Sequence, residues 1–332
     1  MESKLRILNI REVEQILSMP DVIRLVEKAF GEKGRKKVQM PPKSYLYLSK
    51  FNGDLRVMPA YLEELNQVGV KMVNAHLDNR SKYRLPTVLA SIMLFNPETG
   101  APISLMDGTY ITAMRTAAAS AVAAKYLARK DSKILAVIGA GYQSLRQVEA
   151  LREIMKLESV RIFDIDSDRA EQLAILLYDK FDITAIPFAS VEEAVRGSDV
   201  LVTVTPSRKP IVKNGWITEG MHISAVGADA PGKEELEPEL LKRSRIVIDD
   251  WKQGSHGGEI NVPLSSGIIG KSDIYADIGE IVAGIKPGRT SNKEITIFDT
   301  TGLAIQDVIT AWHVYEVAEK KGIGIELDQL YC

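Results

Sequence analysis

The sequence predicts an α/β protein in which a doubly wound domain is inserted in a discontinuous α+β domain. Three observations predict it. Lys133 to Asp164 reads as strand, glycine turn, helix, strand and terminal acid. Ser44 to Met106, ahead of the helix that precedes this stretch, reads as consecutive short strands separated by turn residues. A final helix, Leu303 to Lys321, lies beyond the last strand of the alternating region and returns to the first domain.

Along the chain, Asn9 with Glu12 forms a helix capping box, and Asp21 to Lys33 is an amphipathic helix. The basic cluster Lys33-Gly34-Arg35-Lys36-Lys37 ends that helix, where cations suit the dipole. The period then changes. Ser44 to Leu48, Asp54 to Leu62, Val68 to Asn74, Val88 to Phe95 and Ala101 to Met106 are strands, and Asn96-Pro97-Glu98-Thr99-Gly100 joins the last two. Tight turns between consecutive strands predict an antiparallel or mixed sheet. Thr109 to Ala128 is an alanine-rich helix that leads into the glycine turn region.

Ile134-Leu135-Ala136-Val137-Ile138 is the apolar run of a buried parallel strand, and Gly139-Ala140-Gly141 follows at once. Leu145, Val148, Leu151, Ile154 and Met155 then recur at helical spacing from Tyr142 onward. Val160 to Phe163 is the next strand, and Asp164 ends it about 25 residues beyond Gly139, near the roughly 20 of a dinucleotide fingerprint. Gly139 permits the tight turn and Gly141 a close backbone approach to pyrophosphate, which the helix N-terminus attracts. Asp164 can accept from the adenosine ribose hydroxyls and would repel a 2′-phosphate, so NAD is the expected cofactor. Ile165 and Asp166, directly after it, join it as candidate cofactor-binding residues. Ser144 stands where a third Gly or Ala usually packs the helix on the strand. A plain βαβ crossover with a solvated Asp164 is the alternative.

After the fingerprint, strands and helices alternate. Ser167 to Phe181 is a helix, and Ser190 with Glu193 caps another. Val200 to Thr205, His222 to Val226, Ile246 to Ile248 and Ile295 to Phe298 are further strands, which makes this a Rossmann-type domain. The expected division is 1–118 plus 302–332 for the discontinuous domain, and 119–301 for the NAD-binding domain.

Bulk properties exclude several function classes. The chain has 332 residues, 45% hydrophobic and 26% charged, with a net charge of −2, so no basic surface for nucleic acid is expected. No apolar stretch reaches the 18 or so residues of a membrane span. No signal peptide is evident after Met1-Glu2-Ser3-Lys4, so cytoplasmic is the expected location. The single cysteine, Cys332, rules out an intramolecular disulfide. His76, His222, His256 and His313 show no metal-ligand spacing, and no metal is expected.

Six stretches together point to one family: Gly53-Asp54-Leu55-Arg56-Val57-Met58-Pro59, Gly69-Val70-Lys71-Met72-Val73-Asn74, Arg115-Thr116-Ala117-Ala118, Gly139 to Ser144, Gly227-Ala228-Asp229-Ala230-Pro231-Gly232-Lys233 and Phe298-Asp299-Thr300-Thr301-Gly302. With them in this order, the chain resembles the ornithine cyclodeaminase/μ-crystallin family over nearly its whole length. Within it, His256-Gly257-Gly258-Glu259-Ile260-Asn261-Val262 and Thr205-Pro206-Ser207-Arg208-Lys209-Pro210 resemble the archaeal-type alanine dehydrogenases. Cyclodeaminases usually carry Cys where this chain has Ala230, and Ser-Val where it has Thr300-Thr301. The resemblance implies a homodimer paired through the non-nucleotide domain and a small-molecule amino-acid or keto-acid substrate.

An amino-acid substrate needs its carboxylate gripped, and arginine's planar fork suits that task. Arg56 and Arg115 are the candidates. On strand pattern alone Arg56 is equally an exposed strand arginine; the resemblance favours the substrate. Arg115 opens the alanine-rich helix, where it could instead bind the cofactor pyrophosphate together with Thr116. Lys71 lies in a strand with apolar neighbours, as snorkelling surface lysines do. Buried beside cations, its pKa would fall and it could exchange protons near neutrality. The resemblance implies that proton-exchanging, substrate-binding role. Asp229 follows a strand at the ligand-binding edge, as a turn aspartate or as an acid/base that also faces the cofactor. Lys233, Thr300, Tyr142 and Gln143 complete the expected cofactor contacts. The activity implied is NAD-dependent oxidative deamination of L-alanine to pyruvate and ammonia. Ornithine cyclodeamination with catalytic NAD, ketimine or imine reduction, and non-catalytic ligand binding are the rivals.

Overall fold

The computed structural model describes residues 4–328. Met1 to Ser3 and Cys332, used above for the signal-peptide and disulfide expectations, lie outside the described residues. The chain divides into two compact units, one running up to Arg115 and resuming at Leu303, the other Thr116–Gly302. The division falls inside the helix Thr109–Leu127. The fold is α/β, a Rossmann-type domain inserted in a discontinuous α+β domain.

The discontinuous unit is built on an eight-stranded mixed sheet. Its order is Ile325–Leu327, Leu5–Leu8, Pro102–Asp107, Val88–Phe95, Gln67–His76 and Gly53–Leu62; Val38–Gln39 and Ser44–Leu48 both pair with Gly53–Leu62. Only Leu5–Leu8 with Pro102–Asp107 is parallel. Alternation puts Met58, Ala60, Leu62, Val73, Ala90, Ile92 and Leu94 on one buried face. The helix Ala304–Lys321 packs on these strands, and the helix Met19–Gly34 packs on it in turn. Ser18 caps the second of these helices by accepting from Asp21 N–H, and Pro20 suits its first turn. Burying each Leu, Val or Phe of this layer contributes about 1.5–3 kcal/mol. The edge strands Leu5–Leu8 and Ile325–Leu327 are not evident from sequence pattern, because each is short and finds its partner across the whole chain.

The inserted unit is an eight-stranded sheet, parallel throughout: Ala185–Pro187, Ser159–Phe163, Ile134–Ile138, Val200–Thr203, His222–Ala225, Thr296–Asp299, Arg245–Ile248 and Ile274–Asp277. Alternate residues feed two cores. Leu135 and Val137 pack with Val160, Ile162, Val148, Leu151, Leu173 and Leu177. Ala136 and Ile138 pack with Leu201, Ile223, Ile246 and Ile297. Strands apolar on both faces are what helices on both faces demand. The order reverses beside Ile134–Ile138, whose carboxyl end carries the glycine turn. The helix after that turn is Tyr142–Arg152, shorter than the apolar spacing through Met155 implies, because the last residues form turns.

Candidate active site

In the discontinuous unit, the strands and the C-terminal helix bring three charges together. Lys71 sits on Gln67–His76 with Met58 and Ile92 as its cross-strand neighbours, so it projects into the buried face. It is fully buried. Its Nζ lies 2.6 Å from Asp307 Oδ2 and donates to Thr112 Oγ1 at 3.3 Å. Asp307 projects from the helix Ala304–Lys321 and also accepts from Arg115 Nε at 2.9 Å. Arg115 Nη1 donates to Gln306 Oε1 at 3.1 Å, and the same oxygen accepts from Leu303 N–H.

One carboxylate therefore serves two buried cations. Burial opposes the charged form of Lys71 most strongly, the positive Arg115 opposes it next, and Asp307 only partly restores it. Its pKa is pushed down to about 7. A lysine so placed donates and accepts protons near neutral pH. Arg56 lies on the neighbouring strand, two positions from Met58, with its guanidinium forked onto Asp54 at 3.0 and 2.9 Å and over the Tyr45 ring. The structure thus brings Lys71 and Arg115 onto one acid, while Arg56 pairs with a different one.

In the inserted unit, Gly139 has φ +102°, and a Cβ there would stand 3.0 Å from the Val204 carbonyl oxygen. Only glycine makes this turn without strain. Gly141 is the N-cap of Tyr142–Arg152 and supplies no side-chain cap; a Cβ on it would project into open space. Ser144, in the place of the third glycine, is buried and donates to Gly139 O at 2.6 Å, so its hydroxyl is satisfied within the turn. Asp164 accepts from Ala140 N–H at 2.7 Å and from Asp166 N–H at 2.9 Å. It thereby ties the glycine turn to the end of the neighbouring strand. Tyr142 and Ile165 are exposed, Ile165 at 96%. Gln143 Oε1 is buried without a hydrogen-bond partner. A turn with room before its helix, an acid at the next strand end and apolar surface beside it fit a dinucleotide.

Asp229 and Lys233 lie on the loop after His222–Ala225, with Lys233 Nζ 2.5 Å from Asp229 Oδ1. Thr300 is buried, and its hydroxyl donates to Asp249 Oδ2 at 3.0 Å. Asp249 also accepts from the Thr301 and Gly302 amides, so it pins this strand end. Thr116 is half-buried in the alanine-rich helix. Among the described residues no group of three or more His, Cys, Asp or Glu side chains could hold a metal, and no helix is long and apolar enough to cross a membrane. His222 is fully buried between Thr296 and Ser224, and burial pushes its pKa down to about 3.

The model of the ornithine cyclodeaminase/mu-crystallin family matches residues 3–322. This chain belongs to that family. It is 50% identical over 321 residues to the alanine dehydrogenase of Archaeoglobus fulgidus, covering 97% of each chain. Among solved structures of the family, it is similar to an archaeal alanine dehydrogenase dimer with bound NAD (TM-score 0.93, 49% identity, covering 98% of this chain and 99% of that one). It is also similar to the Δ1-pyrroline-2-carboxylate reductase of Thermococcus litoralis in complex with NADH and L-proline (TM-score 0.94, 42% identity, covering 97% and 100%).

Three residues of these sites escape sequence reasoning. Asp307 falls in the first turn of its helix, where an acid is explained by the dipole. Its signal was an acid flanked by Ile305, Val308 and Ile309 on an otherwise apolar stripe. Asp54, two residues before Arg56, lies in a stretch used only to recognise the family. Asn261 lies in a stretch used only to recognise the family, and its side-chain contacts to Gly232 and Lys233 are tertiary.

Proposed function

We propose that this protein is an NAD-dependent amino-acid dehydrogenase that converts L-alanine reversibly to pyruvate and ammonia. The observation that carries the proposal is the fully buried Lys71, held beside Arg115 and Asp307 with its pKa pushed down to about 7. The identity to the Archaeoglobus fulgidus enzyme supports alanine as substrate. Arg115 and Arg56 bind the substrate carboxylate. A guanidinium has five N–H donors, and the contacts of Arg115 to Asp307 and Gln306 use two. Bound NAD, seated on the Gly139–Ser144 turn with its ribose on Asp164, supplies the two-electron acceptor. Ile165 and Asp166 flank the adenosine, while Tyr142, Gln143, Thr116, Lys233 and Thr300 complete the cofactor contacts.

Neutral Lys71 takes the proton from the water that adds to the substrate imine. It returns that proton as the carbinolamine collapses to pyruvate and ammonia. Asp229 is the second acid/base group and sits at hydrogen-bond distance from Lys233. The discontinuous unit is the dimerisation domain. Its sheet face opposite Lys71 carries Val57, Pro59, Val70 and Met72, none of them fully buried.

A second reading is supported by the likeness to the Thermococcus litoralis reductase: reduction of a cyclic imine. The deciding experiment gives purified protein NAD with L-alanine, L-proline or L-ornithine, and light scattering on the same preparation reads its mass. Steady NADH formation with alanine, from a particle of twice the chain mass, is the expected result. NADH from proline alone makes it an imine reductase, and proline formed from ornithine without NADH makes it a cyclodeaminase.

A further inference from the structure

The stretch His256 to Val262 takes no part in the chemistry above, yet Gly257 to Asn261 is buried throughout. Its Asn261 and Glu259 side chains grip backbone groups of a neighbouring segment. Asn261 Oδ1 accepts from Gly232 N–H at 3.0 Å, and its Nδ2 donates to Lys233 O at 2.9 Å and Gly258 O at 2.5 Å. Glu259 Oε1 accepts from the Glu235 and Leu236 amides at 2.9 and 2.6 Å. A Cβ on Gly257 would stand 3.1 Å from Ala230 Cα, so the two backbones are in contact. The stretch is itself fixed to the strand Thr296–Asp299, because the Asp299 carboxylate accepts from Glu259 N–H at 2.9 Å and Ile260 N–H at 3.2 Å. A Cβ on Gly258 would overlap that carboxylate, 2.4 Å from Oδ2.

The segment held is Gly227 to Leu236, which carries Asp229 and Lys233. Its tip, Pro231-Gly232, is exposed, and Gly232 has φ +75°. An exposed proline–glycine turn has few contacts of its own and needs an outside anchor to hold one geometry. Glu235 anchors one end by accepting from Gly227 N–H and from Thr205 N–H and Oγ1. Asn261 anchors the tip, accepting from the Gly232 N–H and donating to the Lys233 carbonyl.

We propose that Asn261 is a positioning residue for Asp229 and Lys233, acting through the Gly232 and Lys233 peptide groups. This rests on the acid/base role assigned to Asp229 above. The test has two parts. In the unliganded protein, hydrogen exchange of the peptide spanning 227–236 is compared between wild type and Asn261→Ala. Loss of the anchor makes that peptide exchange faster, while 134–138 exchanges as before. Turnover is then measured for Asn261→Ala, Asp229→Asn and the double variant, with NADH affinity read by fluorescence.

Asn261→Ala should lower kcat by about ten- to a hundredfold, the scale of an ångström's misplacement, with a smaller loss of NADH affinity through the displaced Lys233. Asn261→Ala should cost less in the Asp229→Asn background than in the wild type, because only Lys233 is then left to position. If the alanine variant does not fold, Asn261→Asp keeps the acceptor for Gly232 N–H and drops the donors, and a smaller loss is expected. An equal loss in both backgrounds, or unchanged exchange in 227–236, overturns the proposal. Near-normal turnover by Asp229→Asn removes the role given to Asp229 instead, and the exchange rates still decide whether Asn261 holds the loop.

Discussion

Both units bury ionisable side chains deeply, and they partner them in opposite ways. In the discontinuous unit, Asp307 faces Lys71 and Arg115, so charge answers charge. In the inserted unit, Glu235, Glu259 and Asp299 are buried with backbone amides as partners: Glu259 holds Glu235 and Leu236, and Asp299 holds Glu259 and Ile260. Burial raises the pKa of all three, Asp299 to about 7. The two arrangements suit different work. A cation pair on one acid leaves a lysine ready to exchange protons, whereas amide-held carboxylates fix the backbone without requiring a full charge.

The largest effect expected from this contrast is at Lys71. Lys71→Ala should lower turnover by roughly 10²–10⁴-fold, the usual worth of a positioned acid/base. NAD affinity should barely move, since the fingerprint turn lies in the inserted unit. Isothermal titration with NAD beside initial rates checks both, and near-normal turnover would remove the role assigned to Lys71.

Next comes Asp307→Asn. It leaves two buried cations with no acid between them, and breaking such a pair costs about 3–5 kcal/mol. Asp307 raises the pKa of Lys71, so its loss lowers that pKa further. In the wild type, oxidative turnover should rise with pH through about 7 as Lys71 becomes neutral, and in the variant that limb should move to lower pH. The stability sign is separate. The folded pKa of Lys71 lies below its ordinary 10.5, so its penalty is full below about 7 and fades as pH rises toward 10.5. A pH–rate limb that stays in place in Asp307→Asn would show that Lys71 is not the titrating group.

The inserted unit was the more legible in the sequence, for a physical reason. Parallel strands buried on both faces must be apolar runs, and a dinucleotide turn needs glycine at fixed offsets, so Ile134–Ile138, Gly139 and Asp164 declare themselves locally. Even Ser144 is consistent, since serine is small and its hydroxyl closes on Gly139 O. The strands of the discontinuous unit were legible to within one or two residues, from Ser44–Leu48 through Pro102–Asp107. What stayed hidden depended on distant partners. Leu5–Leu8 pairs with Ile325–Leu327, and nothing near either segment states it. Arg115 and Lys71 were visible as candidates, but the acid that joins them lies nearly 200 residues beyond Arg115. Asn261 and Glu259 stood in a recognisable stretch whose purpose only the backbone groups they grip reveal.

The smallest effect expected is at Glu259, and it tests the contrast most closely. If the inserted unit uses its acids for their acceptor oxygens, then Glu259→Gln should change little, because the amide oxygen still accepts from Glu235 and Leu236. Against about 3–5 kcal/mol for Asp307→Asn, we expect about 1 kcal/mol for Glu259→Gln, the net worth of a buried hydrogen bond. The pH dependence sharpens the point. Burial and the neighbouring Glu235 raise the Glu259 pKa well above the ordinary 4.5. The folded state therefore favours its protonated form, so the wild type gives up stability here as pH rises past 4.5, and glutamine does not. Thermal melts at pH 5 and pH 8 should show the deficit of Glu259→Gln shrinking at the higher pH. A deficit that grows with pH would mean that Glu259 works as a full charge, and the distinction between the two units would fall.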